Sequence, residues 1–231
     1  MDNILLQYLS ERVRKEQDQT QREPGPVITI SRQYGCYGSE IARLLSEQLN
    51  TTIKEKRGEY QWKWIAKEVL DEAAKTLETD PSKIAHVFAA NERSFFEDMA
   101  IAFSIKRYAR DPQIKRLISN IVKKYAEQGH AIIVGRAGCV LAKHIKKSLH
   151  VRLIAPDQYR INQIMKRFNL DKKAAIKRIK ERDQQRKKFM KFYKGDKPEA
   201  EMFDLILNRD KLSNQEIVQT IERCAELRKL T

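Results

Sequence analysis

VITISRQYGCYGSEIARLL (Val27–Leu45) decides how the rest of this chain is read. Val27–Ser31 is a short apolar, β-branched run of the kind that forms a buried strand. Gly35 and Gly38 then allow a sharp turn. From Ser39 onward Ile41, Leu44, Leu45 and Leu49 recur at helical spacing. A strand, a glycine turn and a helix N-terminus make an anion cradle, because backbone N–H groups and the helix dipole converge on the turn. The cradle is unusual. Laid over residues 32–39, the G-x-x-x-x-G-K-[ST] pattern of a Walker A loop finds Arg32 and Tyr37 at its glycines and Gly38 at its lysine, and only Ser39 fits.

Working outward, HAIIVGRAG (130–138), LHVRLIAP (149–156) and FDLILN (203–208) read as further strands. Helical patterns separate them, an order that implies a parallel sheet covered on both faces. Ligands of such sheets bind at the carboxyl ends of the strands, where Ser31-Arg32, Gly135-Arg136 and Ala155-Pro156 fall. Residues 1–22 read as an amphipathic helix broken by REPGP (22–26), and residues 61–128 as almost wholly helical. Asp157 is placed to cap the helix that carries Ile161, Ile164, Met165 and Phe168. Residues 171–194 read as a pair of basic helices. Ser213-x-x-Glu216 is a capping-box pattern that opens the last helix, with Ile217, Ile221 and Cys224 inward.

The chain has 231 residues and a formal net charge of +15. Lys166–Lys194 contains thirteen basic residues against three acids, so this segment should meet an anionic partner. Arg178, Arg182 and Arg186 are four apart and share a helix face, where they repel one another unless an anion lies among them. Asp183 is one turn from Arg186 and Lys187 and is positioned to pair with either. Arg136, directly after a strand and a glycine, presents a planar fork of donors suited to phosphate. The four histidines are scattered and form no HExxH-like cluster. The three cysteines, Cys36, Cys139 and Cys224, show no metal spacing and read as reduced thiols in a cytoplasmic protein. No run approaches the length of a membrane span, and the N-terminus has acids and glutamines where a signal peptide is apolar.

ITISRQYGCYGSEIARLL, IIVGRAGCVL, LHVRLIAPDQYRINQI, RIKERDQQRKKFMKFY and FDLILN stand in an order that resembles the cytidylate kinase-like branch of the nucleoside monophosphate kinases. The resemblance covers residues 26–48 and 130–228. That branch also lacks the Walker lysine and has an early loop arginine. The valine-glycine-arginine of residues 134–136 and the Asp183-x-x-Arg186 pattern match it. The resemblance implies an α/β, three-layer P-loop kinase fold with a helical acceptor-site insert (residues 50–128) and a basic helical lid (169–196), all within a domain of residues 26–231 behind an N-terminal extension of residues 1–25. It implies ATP and Mg²⁺ as cofactors and a nucleotide acceptor. Ser31, Arg32, Tyr34, Gly35, Cys36, Tyr37, Gly38, Ser39 and Glu40 would hold ATP. Arg32 would stand in for the lysine and Arg136 would take the acceptor's α-phosphate. Arg178, Arg182 and Arg186 would steady the transferred group, and Asp183 would orient an arginine or touch the acceptor base. No aspartate ends the 131–134 strand, so the metal ligands stay unassigned.

Two positions depart from the branch. Tyr37 stands where it has glycine, so the ring would crowd the phosphates or stack on a base. Ser39 replaces an arginine. Trp62 and Trp64 read as packing residues. Two other classes fit the same residues: a nucleotide-binding regulatory scaffold without turnover, and a nucleic-acid binder using the 166–194 patch with Phe189, Phe192 and Tyr193 as stacking platforms. The N-terminal helix suits either a homodimer contact or docking on its own core.

Overall fold

A computed structural model describes residues 24–55, 60–66, 112–195 and 198–231. The expected helix over residues 1–22 lies outside them, as do residues 67–111. In chain order the elements are β1 (Val27–Arg32), α1 (Gly38–Glu55), β2 (Lys63–Ile65), α2 (Pro112–Gln128), β3 (Ala131–Val134), α3 (Gly138–Leu141), β4 (Ser148–Ile154), α4 (Asp157–Phe168), α5 (Lys172–Lys194), a 3₁₀ turn (Ala200–Met202), β5 (Leu205–Asn208) and α6 (Asn214–Leu227).

The five strands form one parallel sheet in the order β2-β3-β1-β4-β5. β1 is central, with Val27 level with both Ala131 and Ser148. Alternation along the strands divides the core. Ile28, Ile30, Ile132, Val134, Leu149, Val151 and Leu153 face α1 and α6. Val27, Ala131 and Ile133 face the other way, onto Ile121, Val122 and Ala126 of α2 and Leu141 of α3. The result is the parallel sheet covered on both faces that the order of strands and helices implied, in the three-layer α/β arrangement that the resemblance implied. It places every β-to-α turn at one edge of the sheet.

Four expectations change. Residues 63–65 are not helical: they pair with Ala131–Ile133 as an edge strand. Tertiary pairing overrides local pattern there, and Trp62, only 1% exposed, anchors the strand edge-on to His130, 5.5 Å between ring centroids. Of the span assigned to the insert, residues 50–55, 63–65 and 112–128 form the end of α1, β2 and α2 in the core layers. The pair of helices expected over 171–194 is one helix of 23 residues, Lys172–Lys194, because Asp171 caps it by accepting the Ala174 N–H and no breaker follows until Gly195. Asp157 is the first helical residue of α4 and not its cap. Pro156 takes that position, and the Asp157 side chain turns to Arg160. The Ser213 capping box is present as expected, with both reciprocal bonds made.

Candidate nucleotide phosphate site

β1 ends at Arg32, and the chain is then tied back to its neighbours before it turns. The Gln33 N–H donates to the Leu153 carbonyl at 3.0 Å, and the Gln33 side chain accepts the Ala155 N–H at 2.9 Å. Gly35 follows with φ +92°, a backbone that L side chains rarely adopt. A Cβ there would also lie 3.1 Å from Cβ of Arg160, so α4 packs directly on this glycine. Cys36 is fully buried, and burial pushes its thiol up to about 11, so it is a neutral packing group near pH 7. All three cysteines are free thiols.

Tyr37 has φ +43°, so the loop keeps the glycine-like path despite the side chain. That left-handed geometry costs about 1 kcal/mol. The side chain offsets it elsewhere: its hydroxyl donates to the Gln163 carbonyl at 2.9 Å, and its ring lies under the Arg167 guanidinium, 4.7 Å from the centroid. The ring is therefore fastened to α4. α1 starts at Gly38. Among the described residues the N–H groups of Gly35, Gly38 and Ser39 have no hydrogen-bond partner. They are the turn and first-turn donors that a helix N-terminus leaves for a ligand. Glu40 faces elsewhere, toward Asn214 at 2.8 Å and Arg209 at 3.8 Å, and so ties α1 to the start of α6.

Three guanidinium groups converge on this edge. Arg32 runs along Gly38, with its Cδ 3.2 Å from where a Gly38 Cβ would lie, and across Gly135. A Cβ on Gly135 would fall 2.0 Å from the Arg32 Nη1 and would push that guanidinium aside, and the +72° φ of Gly135 itself disfavours a side chain. Arg136 follows at φ +54° and is 8% exposed. Burial, with the nearby Arg186 charge, pulls Arg136 down to about 10. Arg186, from α5, donates to the Arg32 carbonyl at 3.3 Å and lies 5.3 Å from the Tyr34 ring centroid. Burial lowers it as well, and its Nε–H is buried with no partner among the described residues. A buried and a half-buried cation that repel each other are a poor way to hold a fold and a good way to hold an anion. A pocket opens here, lined by Arg32, Tyr34, Gly35, Tyr37, Gly38 and Arg186, with Arg167 at its side.

The other expected residues divide. Arg178 joins the loop by donating to the Tyr34 hydroxyl at 2.9 Å, and it lies over Phe168 at 4.2 Å. Arg182 does not line the pocket and donates to Gln185 on its own helix at 3.3 Å. Asp183 bonds neither Arg186 nor Lys187: it turns inward to the Tyr34 N–H at 2.9 Å and to Arg160. Ser31, expected to help hold ATP, turns to Cys139, its hydroxyl 3.7 Å from the sulfur. Sequence reasoning passed over Arg160 and Arg167. The signal was present in LIAPDQYR, where Asp157-x-x-Arg160 opens the helix directly after a strand. Among the described residues no group of three His, Cys, Asp or Glu side chains could hold a metal, and no helix is long and apolar enough to cross a membrane.

A family model described as the cytidylate kinase-like family matches residues 27–211. The cytidylate kinase of Methanocaldococcus jannaschii is 33% identical over 89 residues, which is 37% of this chain and 50% of that protein. That of Ignicoccus hospitalis is 30% identical over 115 residues, 49% of this chain and 66% of that protein. The chain thus spans half to about two-thirds of the length of these relatives. Among solved structures, an uncharacterized protein from Eubacterium ventriosum superposes with a TM-score of 0.62 at 20% identity, covering 87% of this chain and 98% of that one. Shikimate kinase from Bacteroides thetaiotaomicron does so at 0.50 and 12% identity, covering 87% and 97%. At these identities the two superpositions speak for the fold.

Proposed function

The chain belongs to the cytidylate kinase-like family, and from that membership we propose that it is a nucleotide kinase that moves a phosphoryl group from ATP to a nucleoside monophosphate. The observation that carries this reading is the pocket in which Arg32 and Arg186 line the glycine turn of Gly35 and Gly38, whose N–H groups are open, with Arg136 buried behind them close enough to feel the Arg186 charge. Phosphoryl transfer asks mainly for positioning and neutralised charge, which is what this set can supply.

The donor set fits a polyphosphate. The loop N–H groups would take the donor's β-phosphate, and Arg32 would act in place of the missing lysine. Arg136 would hold the acceptor's α-phosphate, and Arg186 with Arg178 would steady the group in transit. Mg²⁺ fits less fully. Ser39 offers one hydroxyl at the usual place, so phosphate oxygens and water would complete the shell of an ion that keeps most of its waters. When bound, that ion would add charge neutralisation between the phosphates. Residues 50–128 are the segment assigned to closing over the acceptor, of which 67–111 lie outside the described residues, and α5 falls in the span assigned to the lid.

CMP is the first acceptor to test, on the names of the relatives. Free cysteines suit a reducing compartment, so the cytoplasm is the proposed location.

The scaffold reading drew on Tyr37, whose ring is held on α4 and whose backbone keeps the turn open. The nucleic-acid reading drew on Phe189 and Tyr193, which pack against the α2–α3 side of the core, leaving Phe192 exposed. The test is a coupled ADP-release assay with ATP, Mg²⁺ and a panel of nucleoside monophosphates, run beside Arg136→Ala. Acceptor-dependent turnover that disappears in the variant is the expected result. ATP binding without turnover for any acceptor would move the assignment to the scaffold.

A further inference from the structure

A carboxylate reaches into the site that the cations build. Asp183 projects from α5 onto the phosphate loop and accepts the Tyr34 N–H at 2.9 Å, next to the open N–H of Gly35. An unbalanced negative charge there would repel any phosphate that approaches. The balancing group is Arg160 of α4, which is 6% exposed. Its Nη1 donates to the second Asp183 oxygen and to the Tyr34 carbonyl at 3.3 Å, and its Nη2 holds Asp157 at 2.5 Å. Burial works against the Arg160 charge, and the bonds to Asp157 and Asp183 more than offset it. The backbone and Cβ of Arg160 lie 3.1–3.3 Å from where a Gly35 side chain would begin. The bonds close into a ring: loop N–H to α5 carboxylate, carboxylate to α4 guanidinium, guanidinium to loop carbonyl.

We propose that Arg160 is a positioning residue for polyphosphate binding: by pairing with Asp183 it cancels that carboxylate beside the loop N–H groups that face the incoming phosphates. This rests on the reading of residues 31–40 as the phosphate site. A salt bridge that serves only to hold the fold would make both partners' losses harmful. Charge cancellation gives them opposite signs. With Arg160 gone, Asp183 loses the guanidinium bonded to it and keeps only the unbonded Arg186 charge near it, so its repulsion of the anion rises. With Asp183 neutralised as asparagine, the side-chain oxygen still accepts the Tyr34 N–H and the repulsion is gone.

The experiment is calorimetric titration of the full chain with inorganic tripolyphosphate at physiological salt, with a thermal melt of each variant. Arg160→Met should weaken binding about tenfold. Asp183→Asn should bind severalfold tighter than the wild type, and the double variant should return close to it. Arg160→Met binding as tightly as the wild type, or a double variant no better than Arg160→Met, overturns the inference. If Arg160→Met does not fold, Asp183→Asn decides alone: weaker binding than the wild type overturns it. A wild type that binds no tripolyphosphate also overturns it, whatever its turnover. The predicted pattern of affinities with no turnover for any acceptor leaves this inference standing and sinks the kinase reading.

Discussion

Helices α5 and α6 are the last two of the chain and are held in opposite ways. α6 buries Ile217, Val218, Ile221 and Ala225 on one stripe and begins with a reciprocal capping box. Its place is fixed by apolar area and by satisfied ends. α5 is 23 residues long with eleven basic residues, and its fully buried apolar contacts are Ala175 and Ile179. It is held over the loop by Asp183, Arg178 and Arg186, and its far end rests on the core through Phe189, Met190 and Tyr193. α5 is packed near its start through Ala175 and Ile179 on Tyr34, Ile161 and Ile164, so the stretch between its two apolar attachments, which carries the polar contacts around the charged pocket, is the part that the occupancy of the pocket bears on. Stability is thus expected to reside in α6, and chemistry in α5.

Truncating the core side of α6 should give the largest effect. Ile221→Ala should lose about 2–5 kcal/mol in denaturant unfolding with turnover per folded molecule intact. A large change in turnover per folded molecule would break the division. Next comes Arg186→Ala on α5, expected to lower turnover about ten- to a thousandfold. Its melting temperature should scarcely move, because the variant relieves a buried repulsion with Arg136 while losing the bond to Arg32. Removal of the α6 cap is smaller: Ser213→Ala should cost about 1 kcal/mol, read as a shift in the denaturant midpoint at constant slope.

The smallest effect concerns pH, at the end of α6. Arg228 there bonds Asp204, whose other oxygen accepts the His150 N–H, and the His150 ring meets the Thr29 hydroxyl at 2.8 Å. Burial lowers His150 below its usual value, partly opposed by the Asp204 charge, and burial lowers His130 as well. The folded state therefore resists their protonation. Their contribution to stability is complete above about pH 6.5 and is lost as pH falls below it. Melting temperature should hold level from pH 8 to 7 and decline below 6.5, and His150→Gln should reduce that slope. An unchanged slope in the variant would assign the decline to other groups.

Much of this was legible in the residues. The β-branched runs at 27–31 and 131–134 read as buried strands, as do the apolar positions of 149–154, since little else can cover two apolar faces. The capping box at Ser213 was legible because both partners are local, three residues apart. The edge strand at Lys63–Ile65 was not, because three residues carry no period and only pairing with β3 makes them a strand. The tethering of Tyr37 to Gln163 was not, because the partner lies 126 residues away.

Local composition and short-range period specify the parallel sheet, the glycine turn before α1 and the clustering of positive charge. How that charge is used depends on contacts between distant elements. Asp183 had two basic neighbours one turn away and bonded neither, since its helix face points into the loop and Arg160 comes from another helix to meet it. Which partner a charged side chain takes depends on which desolvated groups the fold brings within about 3 Å, and no spacing along a single helix contains that distance.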